Sequence, residues 1–238
     1  MTSIKLLYQR SVPVTDKISV VIPSVGEVID NEDTYYGLVN IMTASPIDMM
    51  VPLDDAGIDF TKISDYKLFL LLFRELQEQD TSLLFGDLDL KKFTLSVNGQ
   101  NGDFALIDGE NGIRIDKGVY WQIAATLRKI HHLEKNRRRP ANEEAKAYLL
   151  ERARIKMARD KKRMKDSQLE SLIIAMVNTE QFKYDFDSVR TLSIFQFNES
   201  VRQIIKKVDY DNRMFGVYSG TISTKDLSQD DLNWLNNK

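Results

Sequence analysis

The chain has no cysteine, so it contains no disulfide bond, no thiolate metal site and no thiol nucleophile. This suits a reducing compartment, where disulfides do not persist. Histidine is nearly absent too, since His131 and His132 are the only two. Adjacent residues of a helix point about 100° apart, whereas a zinc site takes ligands spaced four apart or drawn from separate elements. We therefore interpret both histidines as surface or boundary residues and predict no metal site.

Long hydrophobic runs are also missing. The longest, residues 68–73, is far shorter than the roughly 20 residues of a membrane-spanning helix. Residues 1–5 do not begin an apolar segment that ends in a small-residue cleavage site. We therefore expect a soluble protein made in the cytoplasm, with neither a membrane span nor a signal peptide.

Motifs for nucleotide binding and nucleophilic catalysis are absent as well. No glycine-rich phosphate loop follows a strand-like segment. The segment Gly216-Val217-Tyr218-Ser219-Gly220 is superficially similar to a nucleophile elbow, but its serine is fourth instead of third. We therefore predict that the protein is not an enzyme and has no catalytic residue and no cofactor.

Acidic residues offer one weak metal-binding pattern. Asp87 and Asp89 flank a single leucine, and Asp54, Asp55 and Asp59 lie in one predicted loop. Together they could form a hard-cation site, but they lack the regular spacing and terminal glutamate of an EF-hand. We interpret them as solvated turn residues and helix caps.

The rest of the composition is that of an ordinary globular protein. It has 238 residues, of which 42% are hydrophobic and 29% charged, enough for one large domain or two small ones. The pattern of apolar residues and turn signals predicts the following elements. They are strands at 4–8 and 18–22, a helix at 26–42, a loop at 46–59, a helix at 65–78 capped by Ser64, strands at 93–97, 104–107 and 113–115, and helices at 117–136, 142–165, 167–177 and 193–208, followed by an extended piece at 216–220. The pairs Ser167–Glu170 and Ser193–Gln196 match the capping box at the start of the last two helices. The last helix is expected to end at Val208 and to face inward with Phe197, Val201, Ile204 and Ile205.

These elements predict an α+β fold that is mainly helical, with an N-terminal strand pair, a small central antiparallel meander and a long charged helix. The Asn-Gly and Asp-Gly pairs between the central strands are typical of tight hairpin turns. We predict a mixed N-terminal part, residues 1–116, and a helical C-terminal part, residues 117–238, whose basic arm is residues 137–165.

Charge is distributed unevenly along the chain. Residues 128–165 contain fifteen Lys or Arg and five Asp or Glu, a net charge of +10. The rest of the chain therefore carries −12, because the total is −2. The candidate partner-binding residues in this segment are Arg137, Arg138, Arg139, Arg152, Arg154, Arg159, Lys161, Lys162 and Arg163.

Three interpretations of the basic segment stay open. It can be a solvated helix face, an interface for an acidic protein surface, or a nucleic-acid site that binds phosphates by counterion release. An acidic surface could belong to another protein or to a second copy of this chain. Tyr148 is its only aromatic residue, which serves base stacking poorly, and no helix-turn-helix pattern accompanies it.

Several segments spread over nearly the whole chain carry a resemblance to a known group. They are Pro23-Ser24-Val25-Gly26-Glu27-Val28-Ile29-Asp30, Asp48-Met49-Met50, residues 53–60 and 80–90, Leu192-Ser193-Ile194-Phe195-Gln196-Phe197-Asn198, Tyr210-Asp211-Asn212-Arg213 and residues 216–221. In these segments the chain resembles proteins of the tail-gene modules of bacteriophages and prophages of Gram-positive bacteria. None of the segments is a mechanistic motif, so the resemblance concerns lineage.

The resemblance implies a tail assembly factor or a minor tail or baseplate protein that acts through protein–protein contacts. Its expected partners are other phage tail proteins or copies of itself. Its expected location is the bacterial host cytoplasm and, if it is retained, the virion. The alternative function is nucleic-acid binding through residues 128–165.

Overall fold

The structure is a computed structural model that describes residues 3–97, 102–160, 167–223, 225, 227–228 and 231–235. It is 54% helical, with one antiparallel strand pair and one three-stranded antiparallel sheet. The predicted α+β class with mainly helical content is confirmed. The helices are α1 Ser3–Leu6, α2 Val25–Ile29, α3 Glu32–Thr43, α4 Met50–Asp55, α5 Asp65–Gln77, α6 Ser82–Phe85, α7 Lys117–Ile130, α8 Glu143–Asp160, α9 Gln168–Val177 and α10 Ile194–Tyr218.

The two sheets are small and separate. The strands are β1 Ser11–Pro13, β2 Ser19–Val21, β3 Thr94–Val97, β4 Phe104–Asp108 and β5 Ile113–Ile115. In the first sheet, Val12 pairs with Val20 and both side chains are buried. In the second, β4 is central, with β3 and β5 antiparallel on either side, which confirms the predicted meander.

One large hydrophobic core joins elements from both ends of the chain. Its fully buried side chains include Val20 from β2, Tyr35 from α3, Phe69 from α5, Tyr120 from α7 and Phe197 from α10. The core therefore draws on both predicted parts, 1–116 and 117–238. The division between them stays a prediction.

Helix caps predicted from serine are confirmed at two positions. The Ser64 side chain accepts a hydrogen bond from the Lys67 amide at the start of α5. Ser193 and Gln196 form a reciprocal capping box at the start of α10. At α9, Ser167 accepts a bond from the Glu170 amide, which is one half of the predicted box. Each bond satisfies an amide that lacks a partner inside the helix.

The predicted strand at residues 4–8 is wrong, because this segment begins with the short helix α1. The partner of β2 is instead β1, which contains the proline we placed in a turn. Pro13 ends β1 in a ribbon of only two strands, where one edge of the strand is open. A missing proline N–H is tolerated at such an edge.

Helix boundaries account for most of the other corrections. The predicted helix at 26–42 is two helices, broken at Asp30 and Asn31, and the predicted loop at 46–59 contains α4. Helix α7 ends at Ile130 instead of 136, and His132 follows with a left-handed φ of 52°. Helix α10 runs to Tyr218 and so includes the first three residues of the segment 216–220 that we expected to be extended.

Candidate functional site

The predicted partner-binding residues occupy two structural settings. Arg137, Arg138 and Arg139 lie in the irregular connection between α7 and α8, whereas Arg152, Arg154 and Arg159 lie on α8. The predicted residues Lys161, Lys162 and Arg163 lie outside the described residues. Helix α8 has no fully buried residue, so it lies on the surface of the protein along its whole described length.

Helix α8 is attached to the acidic segment that carries α4. Arg154 donates through Nη2 to Asp54 Oδ2 at 2.8 Å and to Asp55 Oδ1 at 2.6 Å. Lys146 Nζ lies 2.9 Å from Asp59 Oδ2. Hydrogen bonds from Thr61 and Lys146 hold the pKa of Asp59 well below its usual range. Three of the five acids considered for a hard cation, Asp54, Asp55 and Asp59, are therefore neutralised by cations of the same chain.

One apolar contact accompanies these ion pairs. Leu150 packs against a small satellite core whose buried members include Leu53 and Phe60. The Lys146 ammonium lies 5.9 Å from the centre of the Phe60 ring, within the range of a cation–π contact. Part of the basic arm thus covers the protein's own surface, and Lys146 and Arg154 are already engaged.

A cleft of about 350 Å³ lies where the α7–α8 connection passes over the segment between α3 and α5. We call it the arginine cleft. Its lining is Ser45, Pro46, Ile47, Phe60, Thr61, Ile63, Asp65, Lys135, Asn136, Arg137, Arg138, Arg139 and Pro140. The three arginines give the cleft its net positive charge. The isoleucines, the prolines and Phe60 form its apolar part.

The carboxylates around the arginine cleft are occupied by other groups. Asp65 forms an ion pair with Lys135. Asp48 accepts hydrogen bonds from Asn136 Nδ2 at 2.8 Å and from Ser45 Oγ at 2.6 Å. Within the described ranges, no carboxylate forms an ion pair with the three cleft arginines, which are exposed. Their guanidinium groups are therefore available to an external anion.

The remaining described arginines of α8 face solvent. Arg152 lies 5.7 Å from the centre of the Tyr148 ring on the same helix, and Arg159 lies 3.8 Å from its neighbour Asp160. Both contacts are local to α8 and both arginines are exposed, but Arg159 also lines a wide depression with Glu32 and Asp33 at the start of α3.

The two histidines do not form a site together. His131 Nε2 lies 2.9 Å from the Tyr35 hydroxyl, and burial lowers the pKa of His131 to about 4. His132 lies 3.6 Å from Glu199, but burial still lowers its pKa. In the part of the chain that the structure describes, no three His, Asp or Glu residues cluster as metal ligands would.

Sequence reasoning missed an exposed apolar stripe on α10. Because the helix was expected to end at Val208 with Ile205 facing inward, its outer half was not considered. In the structure Ile205 is 54% exposed, Phe215 75% and Tyr218 87%. The signal was present as apolar residues that continue at intervals of three and four beyond Val208.

None of the described helices is both long enough and apolar enough to cross a membrane.

Comparison with known proteins gave one match, to part of the chain. A family model described as the YomV second domain matches residues 160–238, about a third of the chain. No curated protein and no solved structure matched. The matched residues include α9, α10 and the C-terminal tail, so they contain the exposed stripe. The matched family is phage-associated, of the Bacillus prophage type, and this confirms the resemblance to phage proteins at that level.

Proposed function

We propose that this chain is a non-enzymatic phage tail assembly factor or minor tail or baseplate protein. In this proposal it binds an acidic segment of another tail protein in the arginine cleft. The phage-associated family supports the setting. The observation that carries the binding role is the set of three exposed arginines beside an apolar surface, with the nearby acids already paired.

The chemistry of the cleft favours a protein ligand. Guanidinium groups bind carboxylates through paired hydrogen bonds, which suits an Asp- or Glu-rich peptide. Ile63 lines the cleft and is only half-buried, so a peptide side chain between the acids could contact it. Phe60 itself is almost completely buried, so it offers no open ring face on which a nucleic-acid base could stack.

The two roles differ in where the protein is found. A tail assembly factor works in the bacterial host cytoplasm, and a minor tail protein that is retained becomes part of the virion. Detection of the chain by mass spectrometry in purified particles would assign it to the second case, and its absence from them to the first.

The test is co-purification with the proteins encoded by neighbouring tail genes, followed by titration of the complex. The triple variant Arg137→Gln/Arg138→Gln/Arg139→Gln should weaken binding at least 10-fold. A matched variant, Arg152→Gln/Lys156→Gln/Arg159→Gln, removes the same charge from the open face of α8 and should bind normally. Equal loss in both variants, or no complex with any tail protein, would contradict the proposal.

Nucleic-acid binding is the second candidate, and the open face of α8 favours it. Arg152, Lys156 and Arg159 are exposed there, and phosphate contacts need only exposed cations. Lys146 and Arg154 lie on the attached side of the helix and are engaged with carboxylates, so they add little charge for a nucleic acid. A gel-shift assay at low salt separates the candidates. Retention that weakens steeply with salt, and is lost in the α8 variant, would support nucleic-acid binding.

A further inference from the structure

Helix α10 carries a continuous row of residues at alternating intervals of three and four. We call this row the α10 seam. Its members are Ile194, Phe197, Val201, Ile204, Val208, Asp211, Phe215 and Tyr218. The average interval of 3.5 is the heptad repeat of helices that pair side by side. Seven of the eight members are apolar or aromatic, so the row has the composition of a coiled-coil seam.

The burial of the seam decreases steadily along the helix. Ile194 and Phe197 are fully buried in the main core, and Val201 and Ile204 are half-buried against it. Val208 is 37% exposed, and the two aromatic members beyond it are mostly exposed. The inner half of the seam is thus covered by the body of the protein, whereas the outer half lies open in the described structure.

Hydrogen bonds locate the anchored end of α10. Gln196 Nε2 donates to the Leu7 carbonyl at 2.7 Å, and Asn198 Nδ2 donates to the Ile130 carbonyl at 3.2 Å. Both lie in the first turns of the helix. The outer seam therefore belongs to a helix whose orientation is fixed at its base.

The C-terminal tail contacts α10 on the side away from the seam and at one edge of the seam. Arg213 forms an ion pair with Asp231, and the Lys207 ammonium lies 5.8 Å from the centre of the Trp234 ring. At about 100° per residue, Arg213 lies roughly 140–160° around the helix from the outer seam, whereas Lys207 lies at its edge, roughly 20° from Tyr218 and 40° from Asp211. Phe215 and Tyr218 remain 75% and 87% exposed with the described part of the tail in place, so that part of the tail does not cover them.

We infer that the outer α10 seam binds the same seam of a second copy of this chain. Residues beside the seam are mostly uncharged, among them Ser200, Ile205, Asn212 and Met214. The one charged seam residue, Asp211, is held by Lys207 Nζ of its own helix at 2.5 and 2.6 Å. Two copies can therefore approach without an uncompensated charge on either seam, whereas nothing beside the seam selects a strongly charged partner.

The area of the exposed part of the α10 seam sets the expected affinity of the dimer. The exposed parts of Ile205, Val208, Phe215 and Tyr218 amount to roughly 500 Å² per copy, so a pair would bury about 1,000 Å², the lower limit of a specific interface. Such an interface predicts a reversible dimer with a dissociation constant in the micromolar range. A single polar seam residue such as Asp211 favours one register over others.

The test is sedimentation velocity over a concentration range from about 1 to about 200 μM. The 27.5-kDa monomer should convert to a dimer as concentration rises. Phe215→Glu/Tyr218→Glu should raise the dissociation constant at least 100-fold, because it places four carboxylates at the contact. Circular dichroism would verify that this variant keeps its helical content, as expected for two exposed residues.

Two matched variants make the test specific. Tyr148→Glu replaces a similarly exposed aromatic residue on α8 and should leave dimerisation unchanged. The triple glutamine variant of the arginine cleft should also dimerise normally, which separates this inference from the proposed function. A wild-type chain that stays monomeric at the highest concentration would overturn the inference, as would a dimer that tolerates Phe215→Glu/Tyr218→Glu.

Discussion

Helices α8 and α10 are the two longest in the described structure, and they are attached to the body in opposite ways. Helix α8 lies flat on the surface, held by ion pairs and by the packing of Leu150 on the satellite core, with no residue fully buried. Helix α10 has its first turns in the core, where Phe195 and Phe197 are inaccessible to solvent, and extends outward from there. One helix is therefore attached along its side by charge, and the other at one end by apolar packing.

The difference bears on which helix can move. An exposed ion pair contributes about 0–1 kcal/mol, whereas a buried aromatic side chain contributes several. Helix α8 can therefore separate from the body in a local opening, while the base of α10 can separate only when the core itself unfolds. A protein that must release or rearrange a contact during assembly would do so at α8.

The largest expected effect on stability comes from removing a buried side chain at the base of α10. Phe197→Ala should lower the free energy of unfolding by about 3–5 kcal/mol, because it leaves a cavity beside Phe182 and removes a fully buried ring. Met157→Ala on α8 should lower it by less than about 1 kcal/mol, since Met157 is exposed. Urea denaturation of both variants checks the contrast. Equal losses would mean that α8 is buried to a similar degree.

As the pH falls, the folded body of the protein should lose stability before α8 loses its attachment to that body. His131 has a folded pKa near 4 against about 6.5 unfolded, so its contribution is fully present above pH 6.5 and is lost as pH falls towards 4. The loss should reach about 3 kcal/mol at most. The Lys146–Asp59 pair persists in this window, because the pKa of Asp59 is lowered.

Urea denaturation of wild type and His131→Gln at pH 7 and pH 4.5 measures this effect. The wild type should lose stability between the two pH values, and the variant should lose clearly less. The glutamine amide can still bond to the Tyr35 hydroxyl without taking up a proton. An equal pH dependence in both proteins would show that other groups control acid unfolding.

Local signals in the sequence predicted the parts of the fold that depend on local chemistry. Ser64 and the Ser193–Gln196 pair marked helix starts because their side chains bond to amides three residues away. The Ser24–Glu27 pair fits the same pattern and forms a full capping box, although it was not used. The pairs Asp108-Gly109 and Asn111-Gly112 correctly marked the turn between β4 and β5, whereas the turn predicted at Asn98-Gly99 and Asn101 lies outside the described residues.

What the sequence could not supply was pairing between distant segments. The acids at 54, 55 and 59 looked like solvated loop residues because Lys146 and Arg154 are 87–100 positions away. The arginine cleft likewise needs residues 45–47 and 60–63 to meet the α7–α8 connection. The composition of the basic segment identified its charge, but only the fold separates the engaged cations from the open ones.

A smaller effect is expected from the apolar contact of α8. Leu150→Ala should reduce the protection of α8 amides from hydrogen exchange, because Leu150 is the α8 residue that packs on the satellite core with Phe60. The loss should correspond to about 1–2 kcal/mol of local opening free energy, below that of a fully buried leucine. Ile155→Ala, at an exposed position of α8, should leave protection nearly unchanged.

The smallest effect is expected at the ion pairs of α8, and salt distinguishes it from the apolar contact. Arg154→Gln removes both bonds to Asp54 and Asp55 and should reduce the protection of α8 amides from hydrogen exchange by less than Leu150→Ala does. The difference from wild type should shrink in 1 M salt, where screening weakens exposed pairs. Arg152→Gln is the matched control, since Arg152 contacts a ring of its own helix. Hydrogen exchange of α8 amides measures all three proteins. If the loss of amide protection in Arg154→Gln does not depend on salt, the aliphatic stem of Arg154, and not its charge, attaches the helix. The contrast between α8 and α10 would then be a difference in packing area alone.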